Sequence, residues 1–415
     1  MTLSEELSWR GFVNQTTFKD ITVLDAKPLS FYWGVDPSAD SMTIGNLAAG
    51  MMIKTFMKHG HQATLLVGGA TGMIGDPDGK SEERSLKTTE EIAHNKQAIA
   101  GQYKQIFDGL DFSIVDNYDW FKDFGYLEFL REVGKHVPMR QMLQRDFVQS
   151  RLGEDANGIS YAEFSYALIQ GYDFLYLYRA HGVTLQLAGA DQWGNSVSGV
   201  DLIRRIDGGE AHVWTSPLII NKATGKKFGK TEDGAVWLDA AKTSPTQMYQ
   251  FWINSDDEGV ESYLKVYTEL DKVEVDQLLE DHQADRQKRL AQTKLAQEVT
   301  RLVHGEEAMR FAELVTGYLV GRESVGSADD ATLDEIRRNI FSIKTNLEGS
   351  VVAALVDTGL APSNGEARRL LAGNAISING QKVSREAFQA SDFQNGRLLL
   401  RRGKAFKDSA LVELG

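Results

Sequence analysis

Four stretches of the chain carry residue types that could manage a phosphate or a small polar ligand. Asp36 to Asn46 reads DPSADSMTIGN; it leaves an apolar, aromatic run at residues 29–35 and enters Ile44, Leu47, Ala48, Met51, Met52 and Phe56 at helical spacing. A strand, a tight turn and Gly45 at the mouth of a helix would aim backbone N–H groups at an anion. Leu65 to Arg84, LLVGGATGMIGDPDGKSEER, is a strand pattern running into a glycine-rich turn, an aspartate and a basic loop with Lys80 and Arg84. In EFSYALIQGYDF, Tyr166, Gln170 and Asp173 stand at i, i+4 and i+7 and share one helix face; LAGADQWGN follows at Leu187–Asn195. Lys222 to Gly234, KATGKKFGKTEDG, is a glycine- and lysine-rich loop between apolar segments. Each stretch alone has a plain alternative: a close strand–helix crossing, a solvated basic loop, or a hydrogen-bonded polar network in the core.

The elements that would position these residues alternate. Phe31–Val35, Ala63–Gly68 and Thr184–Ala188 read as buried strands, and Glu128–Val133 and Phe164–Ala180 as helices. Alternation over residues 30–220 implies an α/β fold with a mostly parallel sheet and a ligand at the carboxyl ends of its strands. Residues 1–243 form this domain. Residues 244–321 show apolar residues at a 3.6 period without strand signals and read as a helical domain. Residues 322–349 read as a linker carrying one short helix. Residues 350–415 form a small α+β module: two helices, then a hairpin turning at Asn379-Gly380, then short strands.

The chain of 415 residues is 42% hydrophobic and 25% charged, as soluble globular proteins are. It has no cysteine, which excludes disulfides and thiolate metal sites. No apolar run is long enough to span a bilayer, and the N-terminus is not a signal peptide, so a cytoplasmic protein without membrane attachment is expected. His59 and His61 are the one close histidine pair, and no metal site is expected. The net charge of −13 argues against nonspecific nucleic-acid binding by the whole surface. From residue 350 onward, however, nine Lys or Arg face six Asp or Glu, so a basic module sits on an acidic body.

Taken together and in order, VGGATGMIGDPDGK, EFSYALIQGYDF, GADQWGN and KFGKT resemble the signatures of bacterial tyrosyl-tRNA synthetases, class I enzymes with HIGH and KMSKS motifs. The resemblance runs from about residue 31 to the C-terminus. It implies a Rossmann-type catalytic domain, a helical anticodon-binding domain and an S-four-like RNA-binding domain. It implies activation of tyrosine by ATP and transfer of the tyrosyl group to the 3′-terminal adenosine of tRNA(Tyr), with Mg²⁺ carried by the ATP phosphates. A homodimer is implied as well. The alternatives are an RNA-binding paralogue without catalysis and a tryptophan-specific relative.

Residue by residue, the resemblance places Tyr32 and Asp173 at the phenolic hydroxyl, and Asp76, Tyr166 and Gln170 at the ammonium group, with Gln192 near the carboxylate. Phenylalanine would leave the Tyr32 and Asp173 partners unmatched, the kind of rejection without editing for which this family is the standard example. Gly34, Asp36, Gly189 and Asp191 would line the adenosine side. Ser38, Thr43, Gly45 and Asn46 would meet the phosphates. Lys80 and Arg84 on one loop, and Lys227, Phe228, Gly229 and Lys230 on the other, would close over the triphosphate. Thr43 and Asn46 stand where the family usually has two histidines; both can donate neutral hydrogen bonds, so the motif reads as altered but working. In the C-terminal module Arg368, Arg369, Lys382, Arg385, Arg397, Arg401, Arg402 and Lys404 would face RNA phosphates.

Overall fold

Six strands, β1 (Gln15–Thr16), β2 (Ser30–Val35), β3 (Gln62–Val67), β4 (Phe112–Asp116), β5 (Leu185–Gly189) and β6 (His212–Ser216), form one sheet in the order β1-β6-β5-β2-β3-β4. All neighbours are parallel except β1 and β6. The computed structural model describes residues 1–77, 86–152, 158–221, 225, 228–231, 234–403 and 408–415, with backbone alone for Asp146, Phe147, Lys230 and Thr231. Lys80, Arg84, Lys227 and Lys404, and the side chain of Lys230, lie outside the described residues.

Parallel strands are covered on both faces, so β2 and β3 are near-continuous apolar runs. Alternation along β2 sends neighbouring residues to opposite faces. Trp33 packs on Tyr103 and Phe107 at the helix Thr89–Ile106, and Phe31 on Phe56 of the helix Ile44–Lys58. Tyr32 goes the other way, onto Phe174 of the helix Tyr161–His181. The chain runs outward from β2 to β4, then returns to build β5 and β6 on the opposite side. The strand order therefore reverses between β2 and β5, where a doubly wound sheet opens a crevice.

The chain groups into two units, residues 1–242 with 256–286, and residues 243–255 with 287–415. The helices Val260–Tyr267 and Lys272–Ala284, within the stretch expected to be a separate helical domain, belong to the first unit, where Tyr263 stacks on Phe228 at 4.3 Å. A two-stranded ribbon of β7 (Lys230–Thr231) and β8 (Gly234–Ala235) also lies in that unit.

The second unit contains the helices Pro245–Ile253 and Leu290–Leu319, the latter interrupted at Gly305, whose φ of 86° is open to glycine and strained for other residues. Its sheet comprises β9 (Phe341–Thr345), β10 (Ile376–Ile378), β11 (Gln381–Lys382), β12 (Arg397–Arg402) and β13 (Ser409–Leu414), in the order β11-β10-β12-β13-β9. Leu398 and Leu400 of β12 face a core with the helices Val351–Asp357 and Asn364–Ala372, while Leu399 joins Leu333, Ile336 and Leu319 on the other side. The segment 322–349, expected as a linker with one short helix, supplies that helix at Asp330–Asn339 and also β9, which pairs in parallel with β13. Its alternation is weak because β9 is mostly exposed, and the strand signal is correspondingly faint.

Candidate active site

At the crevice between β2 and β5 lies a cavity of about 740 Å³, lined by the ends of both strands, the start of the helix Ile44–Lys58 and one face of the helix Tyr161–His181. Its closed end holds Tyr32, Asp173 and Gln186. The register of β2 with β5 sets Tyr32 beside Gln186. Among the described residues, the Tyr32 hydroxyl and the Gln170 and Gln186 side-chain oxygens are buried without a hydrogen-bond partner. Buried unpaired polar groups are costly, and three converging on one cavity are what a polar ligand would satisfy.

Asp173 is 2% exposed. Its two carboxylate oxygens accept from Asn117 Nδ2 at 3.1 Å and from Trp120 Nε1 at 2.9 Å. Burial pushes its carboxyl well up, against the pull of those two donors. Both oxygens accept already, so the group is held as an acceptor facing the Tyr32 side of the cavity. Burial, helped by Asp173, raises the Tyr32 hydroxyl, and burial with Asp36 and Asp76 raises Tyr166, so both phenols stay protonated donors.

Further out, Asp36 is gripped by Thr71 Oγ1 at 2.6 Å and by the Tyr166 hydroxyl at 2.7 Å. Gln192 Nε2 donates to Asp76 Oδ2 at 2.6 Å. A Cβ on Gly68 would run into Thr71 and Asp36, and one on Gly69 into Asp116, so the glycine-rich turn can come this close only without side chains. Asp116, the last residue of β4, and Asn117 just after it accept from the backbone N–H groups of Gly69 and Ala70 and hold that turn in place.

At the mouth, Ser38, Gly34, Gly45, Gly189 and Asp191 line the cavity. Thr43 is the N-cap of the helix Ile44–Lys58, and its backbone N–H and hydroxyl both donate to Asn46 Oδ1 at 2.9 Å. The amide oxygen is thereby occupied, and the Asn46 NH₂ remains as the donor end. The hydroxyl expected to donate to phosphate is therefore spent on Asn46, and Thr43 acts by setting the sense of that amide. Phe228, buried, also lines the cavity. Gly229 lies against Ile44 instead, where a Cβ would stand 2.7 Å from Ile44 Cγ1.

Residues 24–317 match the family model of class I tRNA synthetases (W and Y), and residues 333–407 match the tyrosine–tRNA ligase SYY-like C-terminal domain. The chain is 43% identical to tyrosine–tRNA ligase 2 of Bacillus thuringiensis subsp. konkukian across the full length of both. It is also 43% identical to the tyrosine–tRNA ligase of Levilactobacillus brevis, over 97% of this chain and 98% of that one. The chain belongs to the tyrosine–tRNA ligase family. Among solved structures, a C-terminally truncated mitochondrial tyrosyl-tRNA synthetase from Aspergillus nidulans superposes with a TM-score of 0.69 at 29% identity, covering 77% of this chain and 94% of that one.

Family motifs pointed to the helix face, but not to the residues that hold it in place. Asn117, Trp120, Thr71 and Gln186 carry no periodic signal. Asn117 and Trp120 follow β4, a half-exposed edge strand that lacks an apolar run. In the tyrosine–tRNA ligase C-terminal region, Arg368 pairs with Glu386, Arg369 with Glu366, Arg385 with Asp392, Arg397 with Glu413 and Arg402 with Asp408, while Lys382 is exposed. Arg401, expected to face outward, is 9% exposed and donates to the Val320 carbonyl at 2.7 Å. Its position on β12 turns it toward the C-terminal end of the helix Leu290–Leu319, a favourable place for a cation.

Proposed function

We propose that this chain activates L-tyrosine with ATP and transfers the tyrosyl group to the 3′-terminal adenosine of tRNA(Tyr). The observation that carries the reading is the pair at the closed end of the cavity: an acceptor, Asp173, and an unpartnered donor, the Tyr32 hydroxyl, both buried. A phenolic hydroxyl between them would donate to Asp173 and accept from Tyr32. Asp76, Tyr166 and Gln170 then hold the ammonium group, and Gln192 lies beside the carboxylate. Asp36, Gly34, Gly189 and Asp191 flank the adenosine.

In this reading a carboxylate oxygen of tyrosine attacks the α-phosphorus, and the bond to pyrophosphate breaks. The carboxylate is already a nucleophile, so the chain supplies alignment and donors rather than a strong base. Asn46, Ser38 and the backbone at Gly45 provide neutral donors at the phosphates. Lys80, Arg84, Lys227 and Lys230 are assigned the charge that meets the departing pyrophosphate. Mg²⁺ would enter on the ATP phosphates, a mode that needs few protein ligands.

The remaining assignments are a cytoplasmic homodimer, the helices of 244–321 that lie in the second unit, Pro245–Ile253 and Leu290–Leu319, meeting the anticodon arm, and a C-terminal module (350–415) that meets RNA through Arg368, Arg369, Lys382, Arg385, Arg402 and Lys404. The exposed pairs of Arg368 with Glu386 and Arg369 with Glu366 open at little cost, which suits exchange of a carboxylate for a phosphate. Tyr126, Leu127, Met139, Leu143, Leu152 and Tyr161 are exposed within one stretch, with the Tyr126 and Tyr161 hydroxyls 3.4 Å apart, which favours a second copy as their cover. The test of the activity is amino-acid-dependent exchange of pyrophosphate into ATP, with tyrosine, phenylalanine and tryptophan in parallel. Exchange with tyrosine alone is expected. Exchange with tryptophan, or none in a folded protein that binds tRNA, would overturn the reading.

A further inference from the structure

Gln192 reaches the cavity from the start of the helix Trp193–Asp207, and its orientation is set from outside the cavity. Arg145 NH1 donates to Asn195 Oδ1 at 2.9 Å, and its NH2 reaches the Ser198 hydroxyl. Asn195 Nδ2 donates to Gln192 Oε1 at 3.3 Å, and Gln192 Nε2 donates to Asp76 Oδ2 at 2.6 Å. Asn195 is 5% exposed. A primary amide has two ends of nearly equal shape, one acceptor and one donor, so turning it over changes its chemistry without changing its packing. A guanidinium can only donate, and an ionised carboxylate can only accept. The relay is pinned by a donor-only group at one end and an acceptor at the other, and both amides between them have one allowed sense.

We infer that Arg145 is a positioning residue for the amino acid: through Asn195 it fixes which end of Gln192 meets Asp76, and so presets the polar frame at the tyrosine ammonium and carboxylate. The inference rests on the reading of Asp76 and Gln192 as amino-acid contacts. Arg145 itself does not line the cavity. Its effect therefore falls on tyrosine and not on ATP.

Steady-state pyrophosphate exchange on the full chain tests this with five variants. Arg145→Met should raise the KM for tyrosine about fivefold, as the loss of one ordering hydrogen bond would, with the KM for ATP unchanged. Arg145→Lys, which keeps the charge but not the fork, should recover part of that loss. Asn195→Asp keeps an acceptor for Arg145 but has no N–H for Gln192, so it should raise the tyrosine KM as well; an Arg145 that merely clamped the helix would leave this variant normal. In an Asn195→Ala background, Arg145→Met should add nothing further. An unchanged tyrosine KM in Arg145→Met or in Asn195→Asp, or a full additive effect in the double variant, overturns the relay. Should Arg145→Met fail to fold, Asn195→Asp and Arg145→Lys decide alone. Wild-type protein without tyrosine-dependent exchange would sink the functional reading instead, a result these variants cannot mimic.

Discussion

Asp173 is a residue whose chemistry the fold has altered strongly. Burial raises its carboxyl well above the ordinary value of about 3.9. In the proposed reading tyrosine binding needs the ionised, accepting form, which is lost as pH falls through the raised value. The KM for tyrosine should therefore climb on acidification at a higher pH than an ordinary carboxylate would dictate, and exchange assays across the acid limb at saturating ATP would show it. Asp173→Asn, whose one NH₂ must stand against the donor of either Asn117 or Trp120, should weaken tyrosine use by about a hundredfold and flatten that limb. A limb that persists in this variant would mean another group titrates. The spacing of Tyr166, Gln170 and Asp173 was legible in the sequence because a helix repeats. Asn117 and Trp120, which aim Asp173, were not, because they come from a chain reversal after an edge strand and meet it only in three dimensions. The exchange of roles at Thr43 was equally hidden: composition shows a hydroxyl, and only the N-cap geometry shows where its hydrogen goes.

Among the elements, the helix Tyr161–His181 brings Tyr166, Gln170 and Asp173 to the cavity and is anchored at its first turn. Ser160 caps it by accepting from Glu163 N–H, and Glu163 forms a two-pronged ion pair with Arg151 at 3.0 and 2.9 Å. Both side chains are at most 4% exposed. Removing one partner of such a pair leaves a buried charge alone, so Glu163→Gln should destabilise the protein by about 3–5 kcal/mol, whereas Arg151→Met with Glu163→Leu should cost far less. Urea unfolding of the two variants measures the difference, and equal losses would show that the pair is not desolvated as described. That cap explains why the helix starts at Tyr161, three residues ahead of the apolar pattern. Strands β2, β3 and β5 could be read because parallel strands covered on both faces are mostly apolar. β6 is short and carries His212, Thr215 and Ser216, and β1 is two residues long, so neither stands out from its surroundings.

At the level of the whole molecule, the chain leaves the first unit at 242, returns at 256 and leaves again at 286. Residues 256–286 are integral to the first unit. Arg10, 7% exposed, donates to the carbonyls of Lys265, Thr268 and Leu270, and Lys54 pairs with Glu269 at 3.1 Å. A fragment ending at 242 should be less stable than one ending at 286, by on the order of 1.5–3 kcal/mol for each charge-assisted bond that is lost. Thermal melts of the two fragments would reveal this, and equal melting temperatures would refute it. The sequence showed where helices replace strands but not this interleaving, since helical periodicity marks an apolar face and not the partner that covers it. The strand β9 has a consequence for the order in which the protein is made. Among the described residues its one neighbour in the sheet is β13, and Phe341 at its start is 68% exposed even in the finished fold. During translation β9 leaves the ribosome long before that neighbour exists, so the nascent chain carries an unmatched, aromatic-tipped edge until the synthesis of β13 gives it a partner.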